Sequence, residues 1–254
     1  MKPCNAVVPP SDSSNSSDTF HIERRLYRQG YSSVAGVDEA GRGPLAGPVV
    51  AACVILPQGC DSSLFRDSKV LTARRRVVLF DLLHNNGALI GVGSAGPREI
   101  EQLNILQASL LAMKRAMEDC AVRNKGCLPE YLLVDGKFPV PAPVSQLALV
   151  KGESKSASIA AASIIAKVTR DRLMADNHCQ YPQYGFLRHQ GYPTKEHRQA
   201  ISRYGPCPLH RRTFRGVVEF LATSNLVSGK VQNLLWDQVK GNDDGIDGET
   251  GGTP

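Results

Sequence analysis

Hydrophobic residues along the chain fall either into short apolar runs or into longer stretches with helical spacing. Short apolar runs predict buried strands, and apolar residues three or four positions apart predict helices. We therefore predict strands at 34–38, 47–56, 88–94, 131–134 and 146–150, and helices at 72–84, 104–123, 156–178 and 194–204. The second strand is apolar at nearly every position and is expected to be buried on both faces. This order of elements predicts a mixed α/β domain with a small helical C-terminal extension.

The predicted helix at 156–178 begins with small side chains. They are Ser156, Ala157, Ser158, Ala160, Ala161, Ala162, Ser163 and Ala166. Small side chains let a helix lie close to a sheet, so we interpret this stretch as a packing surface. Farther along the same helix, we expect Lys167, Arg170 and Arg172 to contact solvent or phosphate.

The two ends of the chain differ in composition from the rest. Residues 1–20 are polar and rich in Ser and Pro, and residues 241–254 are rich in Gly and acids. Such segments have too few apolar residues to form a core, so we expect disordered tails. We assign residues 21–222 to one folded domain and residues 223–240 to a short C-terminal segment.

Positive charge is concentrated in the body of the chain. The formal net charge is +6, but residues 1–20 carry −1 and residues 241–254 carry −4, which leaves +11 between them. A body this basic favours a polyanionic partner, although a generically basic soluble protein remains the alternative. Residues 170–215 hold nine Arg or Lys against three acids, together with four of the six histidines. We predict a phosphate-binding face there and assign no catalytic histidine.

The seven cysteines form neither a CxxC pair nor a Cys/His cluster at zinc spacing. An odd number without such a framework indicates a reducing compartment. The N-terminus has no apolar leader segment, and no stretch approaches 18 apolar residues. We therefore expect a cytoplasmic protein that acts as a monomer and has no membrane partner.

Three apolar runs are each followed by carboxylates. Asp38 and Glu39 end the first, Asp135 ends another, and Glu153 follows a third after a short turn. Neighbouring strand ends would gather these acids into one oxygen-rich cleft. Mg²⁺ and Mn²⁺ prefer such ligands, and several carboxylates together can hold two cations about 4 Å apart. For the first pair alone, an ordinary acidic turn at a strand end is the alternative.

Asp38 and Glu39 are adjacent, and adjacent residues of a strand point to opposite faces. They can share a site only where the strand ends or bends. We expect the loop containing Gly41 and Gly43 to supply this break. Glycine also permits positive φ and a close approach of the backbone to a ligand.

The segment Gly36-Val37-Asp38-Glu39-Ala40-Gly41-Arg42-Gly43-Pro44 resembles the signature of type 2 ribonuclease H in its bacterial form, ribonuclease HII. The resemblance runs from about residue 33 to 221. Its other motifs, in order, are Asp67-Ser68-Lys69, Leu103-Asn104-Ile105-Leu106, Val134-Asp135-Gly136, Lys151-Gly152-Glu153-Ser154, residues 161–171, Tyr184-Gly185-Phe186, residues 189–194 and His210-Arg211-Arg212.

The resemblance implies an RNase H-like mixed sheet flanked by helices and a metal-dependent endonuclease. Such an enzyme cleaves the RNA strand of RNA–DNA hybrids and incises 5′ of single ribonucleotides in duplex DNA, leaving a 3′-OH and a 5′-phosphate. Two metal ions, Mg²⁺ or Mn²⁺, are implied as cofactors. An RNA–DNA hybrid and ribonucleotide-containing duplex DNA are implied as substrates.

The resemblance also assigns roles to individual residues. The metal ligands and catalytic acids fall on Asp38, Glu39 and Asp135. The fourth acid falls on Glu153, where the family usually has aspartate after Lys-Gly. The longer arm is expected to loosen one metal site or to alter the preference between Mg²⁺ and Mn²⁺. Asp171 competes for this role, but an ordinary helical ion pair explains it.

Substrate recognition in the family uses the backbone of a Gly-Arg-Gly loop and a tyrosine, which correspond to Gly41, Arg42, Gly43 and Tyr192. Glycine exposes backbone N–H and C=O groups to a ribose 2′-OH, which both donates and accepts hydrogen bonds. The tyrosine ring can stack on the sugar. Without the resemblance, Tyr192 would be interpreted as a core or turn residue.

Two other classes of function remain as alternatives. One is another RNase H-fold nuclease, either a ribonuclease HIII-like enzyme or a resolvase. The other is a non-catalytic nucleic-acid-binding module. Four acids argue against that module, because they would repel phosphate unless a metal lay between them.

Residues Gln232-Asn233-Leu234-Leu235-Trp236 contain the only tryptophan. They resemble the peptides by which bacterial replication proteins bind the sliding clamp, although Asn233 replaces the usual leucine. A short helix that packs its Leu and Trp side chains on the domain is the alternative. The packed helix is the favoured interpretation, and the sliding clamp is kept as a hypothesis for a second partner.

Overall fold

The computed structural model describes residues 18–65 and 71–222. In these residues five strands form one mixed sheet. The strands are β1 (Val34–Ala40), β2 (Val49–Ile55), β3 (Leu89–Ala95), β4 (Tyr131–Asp135) and β5 (Ser145–Leu149). They lie in the order β3-β2-β1-β4-β5. The strand β2 is antiparallel to both of its neighbours, whereas β1, β4 and β5 run parallel to one another.

Helices cover both faces of this sheet and make up most of the described residues after it. They are α1 (His21–Arg28), α2 (Ala73–Asn85), α3 (Pro97–Leu103), α4 (Ile105–Arg123), α5 (Ala157–Gln180), α6 (Phe186–His189) and α7 (Lys195–Tyr204). Short 3₁₀ turns lie at Ser62–Phe65, Gly152–Ser154 and Pro182–Tyr184. The predicted mixed α/β fold is confirmed, and each of the nine predicted elements is present with small changes at its ends.

Three helices, α1, α3 and α6, were not predicted. The spacing of Ile22 and Leu26 is a helical signal in α1, but the helix is only eight residues long. In α3, Pro97 occupies the first turn and Glu99 accepts a hydrogen bond from the Gly96 N–H, an arrangement typical of a helix start. Short helices carry little periodic pattern, which is why they were missed.

Two helices pack closely on the two faces of the sheet and form the outer layers of the fold. The helix α4 packs on one face through Ala108, Ala112 and Ala116, and α5 packs on the other through its small residues. A Cβ built on Gly36 in β1 would lie 2.1 Å from the carbonyl carbon of Ser158 in α5. The prediction that small residues in α5 serve tight packing is confirmed.

The N-terminal boundary of the domain lies earlier than predicted. Residues 18–20 were assigned to a tail, but Phe20 is buried and the carbonyl of Thr19 accepts a hydrogen bond from the N–H of Ala157 at 2.8 Å. These contacts join the start of the described chain to the start of α5. Four of the predicted features lie outside the described residues: the rest of the N-terminal tail, Asp67-Ser68-Lys69, the 223–240 segment with Gln232–Trp236, and the 241–254 tail.

In the part of the chain that the structure describes, no helix has both the length and the apolar character needed to cross a membrane.

Replacing Gly36 with alanine is expected to destabilise the fold by about 3 kcal/mol, because the new methyl group would overlap the backbone of α5. Gly59→Ala is the matched control, since a Cβ at Gly59 meets nothing within 4 Å. Urea unfolding of both variants measures the difference. Equal stability of the two variants would contradict the close contact between β1 and α5.

Candidate active site

Parallel pairing of β1 with β4 brings two of the predicted acids together. Val37 pairs with Val134 in register. Asp38 and Asp135, the next residues on each strand, therefore lie side by side at the carboxyl edge of the sheet. Asp38 is buried, with 5% of its surface exposed.

Glu153 reaches the same edge from β5 through the turn Gly152–Ser154. Lys151, just before this turn, has φ of 57°, a left-handed conformation that is uncommon for a residue with a side chain. The Gly152 N–H donates a hydrogen bond to Oδ1 of Asp135 at 2.6 Å. This bond fixes the turn that carries Glu153 to the end of β4.

The loop containing Gly41 and Gly43 ends the first strand as predicted, but the predicted last strand residue, 38, is wrong by two residues. The strand β1 continues to Ala40, and the turn at Gly41 comes after both acids. Ala40, two residues after Asp38, packs with the α5 side of the sheet, whereas Val37, two residues before Glu39, packs with the α4 side. The two side chains therefore start from opposite faces at the end of the strand. Glu39 still lies close enough to Asp38 and Asp135 for their charges to interact.

All four predicted acids interact through their charges. Burial raises the pKa of Asp38 well above its usual range, and the charges of Glu39, Asp135 and Glu153 raise it further. Burial also raises the pKa of Glu39, an effect opposed by Arg42, whose Nη1 donates to its Oε1 at 3.2 Å. No three described His, Cys, Asp or Glu side chains form a closed ligand set.

The chemistry of this cluster fits a divalent cation. Oε2 of Glu39 is buried and has no hydrogen-bond partner among the described residues. A buried carboxylate oxygen without a partner is costly, and a nearby cation removes that cost. Because every donor is a carboxylate oxygen, the set suits Mg²⁺ or Mn²⁺ better than zinc.

Tyr192 lies beside the Gly41–Gly43 loop. A Cβ on Gly43 would be 3.8 Å from Cε1 of Tyr192. Tyr192 is 41% exposed, which excludes the core interpretation, and Nζ of Lys167 lies 6.0 Å from the centre of its ring. The structure thus brings the loop and the tyrosine together, as the resemblance implies.

The predicted phosphate-binding face needs correction at its arginines. Arg170, which was expected to contact solvent or phosphate, is fully buried and donates to backbone carbonyls. Arg211 is buried in the same way. Asp171 pairs with Lys167 one turn earlier at 2.7 Å, so the ion-pair interpretation of Asp171 is confirmed.

Three histidines of the same stretch are also buried and do not belong to a phosphate-binding face. The N–H of Cys207 donates to Nδ1 of His210 at 2.9 Å, so the proton of His210 is on Nε2. That Nε2 lies 3.1 Å from Nε2 of His197, whose Nδ1 in turn donates to the carbonyl of Tyr192 at 3.0 Å. His189 stacks on His197. The cluster is neutral and supports the backbone of Tyr192.

Sequence reasoning did not assign a role to Arg211 or to this histidine cluster. Arg211 was noted only as part of a family motif, and a basic stretch does not reveal which of its cations are buried. The signal available was the local pattern Cys207-Pro208-Leu209-His210, in which a proline and apolar residues interrupt the charged residues.

The mixed sheet with clustered carboxylates at its carboxyl edge defines a nuclease of the ribonuclease H class. The fold is similar to that of ribonuclease H2 from Pyrococcus horikoshii OT3, with a TM-score of 0.62 and 27% identity over 74% of this chain and 96% of that one. The family model for ribonuclease HII matches residues 35–217.

Relatives in other bacteria agree with this match. Ribonuclease HII of Desulfotalea psychrophila is 58% identical over 213 residues, which cover 84% of this chain and 94% of the relative. That of Geobacter sulfurreducens is 56% identical over 208 residues, or 81% and 92% of the two chains. The chain belongs to the ribonuclease HII family and is a ribonuclease H enzyme.

Acid is expected to destabilise the fold through the histidine cluster. Burial lowers the pKa of His197 and of His210 to about 4, so the unfolded chain binds protons first as the pH falls below 6.5. Stability is therefore complete above pH 6.5 and is lost down to about pH 4, by at most roughly 3 kcal/mol per imidazole.

His197→Phe should remove part of this pH dependence, although it lowers stability at pH 7. Urea unfolding at pH 7 and pH 5 measures the effect, and His84→Gln on the exposed side of α2 is the control. A pH dependence in His197→Phe equal to that of the unaltered protein would contradict the assignment.

Proposed function

We propose that this enzyme cleaves the RNA strand of RNA–DNA hybrids and incises 5′ of single ribonucleotides in duplex DNA. The products would carry a 3′-OH and a 5′-phosphate. The observation that carries this proposal is that β1, which bears Asp38 and Glu39, leads directly into the Gly41–Gly43 loop, and that Tyr192 lies beside this loop. A group that can recognise ribose thus adjoins a group that can bind metal.

Asp38, Glu39, Asp135 and Glu153 are the proposed metal ligands. When bound there, two divalent cations would activate a water molecule and stabilise the leaving 3′-oxygen of the phosphodiester. Asp38 and Asp135 supply oxygens from adjacent strands, and the Gly152 N–H holds Asp135 in one orientation. Arg42 pairs with one oxygen of Glu39 and leaves the other buried oxygen for the metal.

Ribose recognition is assigned to Gly41, Arg42, Gly43 and Tyr192. The 2′-OH needs one donor and one acceptor, which a glycine-containing backbone can present without obstruction from side chains. The exposed ring of Tyr192 offers a flat surface for the sugar. A duplex without ribose lacks the partner for these backbone groups, which would give the preference for RNA.

Arg170 and Arg211 are buried, so the proposed phosphate contacts of the 170–215 stretch are its exposed cations. The side chains of Arg172, Arg188 and Arg215 are at least half exposed. Contacts of this type bind any duplex and do not read its sequence. They therefore support duplex binding, whereas the loop and the acids determine where cleavage occurs.

The direct test is cleavage of a DNA duplex that carries one ribonucleotide, with Mg²⁺, with Mn²⁺ and with a chelator. Metal-dependent incision 5′ of the ribonucleotide supports the proposal. Activity only on longer RNA–DNA hybrids would favour a ribonuclease HIII-like specificity. Absence of cleavage on both substrates would favour a nucleic-acid-binding module.

Asp38→Asn is expected to lower cleavage at least about a thousandfold, which corresponds to roughly 4 kcal/mol of transition-state stabilisation. The amide keeps the shape of the side chain but removes the charge that would hold the metal. Gel-shift measurements should show that duplex affinity is largely retained. Cleavage at the level of the unaltered enzyme would disprove the role of Asp38.

Glu153→Asp is expected to leave the enzyme active and to change the ratio of its rates with Mg²⁺ and Mn²⁺. The shorter arm changes the reach of one ligand by about one methylene, and Mg²⁺ tolerates such changes of geometry less well. Glu118→Asp, on the exposed side of α4, is the matched control. An unchanged ratio would show that Glu153 does not bind the metal.

A further inference from the structure

Two arginines, Arg170 and Arg211, are completely buried beside the Gly41–Gly43 loop. Their side-chain hydrogen bonds go to backbone carbonyls. Burial lowers the pKa of both guanidinium groups, that of Arg211 to about 9. Arginine keeps its charge at neutral pH in proteins, and a buried charge is costly unless its hydrogen bonds are satisfied.

Arg211 holds the loop from the carbonyl side. Its Nη2 donates to the carbonyl of Gly41 at 2.6 Å, its Nη1 to that of Arg42 at 2.9 Å and its Nε to that of Gly47 at 3.0 Å. Its own backbone N–H donates to the carbonyl of Leu45 at 2.8 Å. One side chain thus fixes both ends of the turn that follows β1.

Arg170 supports the same turn from α5. It donates to the carbonyls of Ala46, Pro48 and Gln190 at 3.0–3.2 Å. A Cβ on Gly41 would lie 2.1 Å from Nε of Arg170, so the loop backbone rests directly on this guanidinium. Through Gln190, two residues before Tyr192, Arg170 also connects the loop to the tyrosine.

The three carbonyls that surround the side chain of Arg211 can be bonded at once only by a planar guanidinium group. Arginine presents its donors as a rigid planar fork, whereas the donors of lysine radiate from a single atom. Lysine at position 211 would keep the positive charge but could not satisfy three separated carbonyls at once. The carbonyls of Gly41 and Arg42 would then be free to rotate, and the N–H groups of the same peptide units would rotate with them.

We propose that Arg211 is a positioning residue for ribose recognition. By fixing the carbonyls of Gly41 and Arg42, it sets the orientation of the backbone groups that meet the 2′-OH, and it does so without touching the substrate. This inference rests on the proposed function, because it assumes that the loop recognises ribose. The fork of Arg211, not its charge alone, is the required property.

Arg211→Lys is the variant that tests this role. The substrate is a duplex with one ribonucleotide, and the same duplex made only of DNA is the competing inhibitor. We expect KM for the ribonucleotide duplex to rise about tenfold, which corresponds to roughly 1.4 kcal/mol. The inhibition constant of the all-DNA duplex should stay within about twofold, because the proposed phosphate contacts at Arg172, Arg188 and Arg215 lie outside the loop.

A purely structural role would give a different result. Loss of folded enzyme lowers kcat and leaves KM unchanged, and it is visible as a lower melting temperature. Arg115→Lys is the matched control, since Arg115 binds Glu99 and a backbone carbonyl on the surface away from the loop. An Arg211→Lys enzyme that is folded and keeps the ratio of KM for the ribonucleotide duplex to the inhibition constant of the all-DNA duplex would overturn the proposal.

Arg170→Lys provides a second test if Arg211→Lys does not fold. It removes the fork that supports the other side of the same turn, and we expect the same selective rise in KM. An unchanged KM in folded Arg170→Lys would also count against the proposal. The unaltered enzyme is measured first, because failure to cleave at the ribonucleotide would disprove the proposed function itself, whatever the variants do.

Discussion

The parallel pairing of β1 with β4 is the constraint on which the rest of the site depends. It places Asp38 beside Asp135, because the residue after each member of the Val37–Val134 pair falls at the same edge of the sheet. The next parallel strand, β5, then delivers Glu153 to that edge through a turn bonded to Asp135. An antiparallel partner for β1 at this point would have placed the second acid at the far end of the sheet. The nearby glycine, Gly36, matters for the same reason, since it lets α5 approach β1 closely enough to carry Arg170 under the loop.

Buried charge is handled in two opposite ways in this molecule. Around Asp38 and Glu39 the carboxylates are brought together without enough hydrogen bonds, and burial and mutual repulsion raise the pKa of both. Around Gly41 the buried charges are positive, and three carbonyls satisfy each guanidinium. The first arrangement leaves the buried Oε2 of Glu39 without a hydrogen-bond partner among the described residues and available to a cation. The second arrangement uses its hydrogen bonds to hold the backbone in place. The carboxylate cluster and the buried arginines lie next to each other, so the cluster adjoins a backbone that is held in one conformation.

The sequence was sufficient for the sheet, the main helices and the position of the acids, because apolar runs that end in carboxylates carry their information locally. It was insufficient wherever burial depends on distant residues. Arg211 and Gly41 are 170 positions apart, and nothing near Arg211 in sequence indicates that carbonyls will surround it. The same holds for His197 and His210, which a composition argument counts as basic surface. The end of the first strand was misplaced for another reason: the strand continues to Ala40, two residues beyond Asp38, the first acid after the apolar run, and only then meets the glycine-containing turn.

The glycines of the loop are needed for the packing of the protein as well as for the proposed contact with the substrate. Gly41 has φ of 97°, and a side chain there would collide with Arg170 before it could obstruct any ligand. A substitution at Gly41 would therefore disturb backbone conformation, arginine packing and ribose contact together, and its effect could not be attributed to one of them. Arg211 approaches the loop from the side of its carbonyls and leaves the loop residues unchanged. A substitution at Arg211 therefore changes the geometry of the loop without changing any residue of the loop. Selectivity for ribose should change with that geometry.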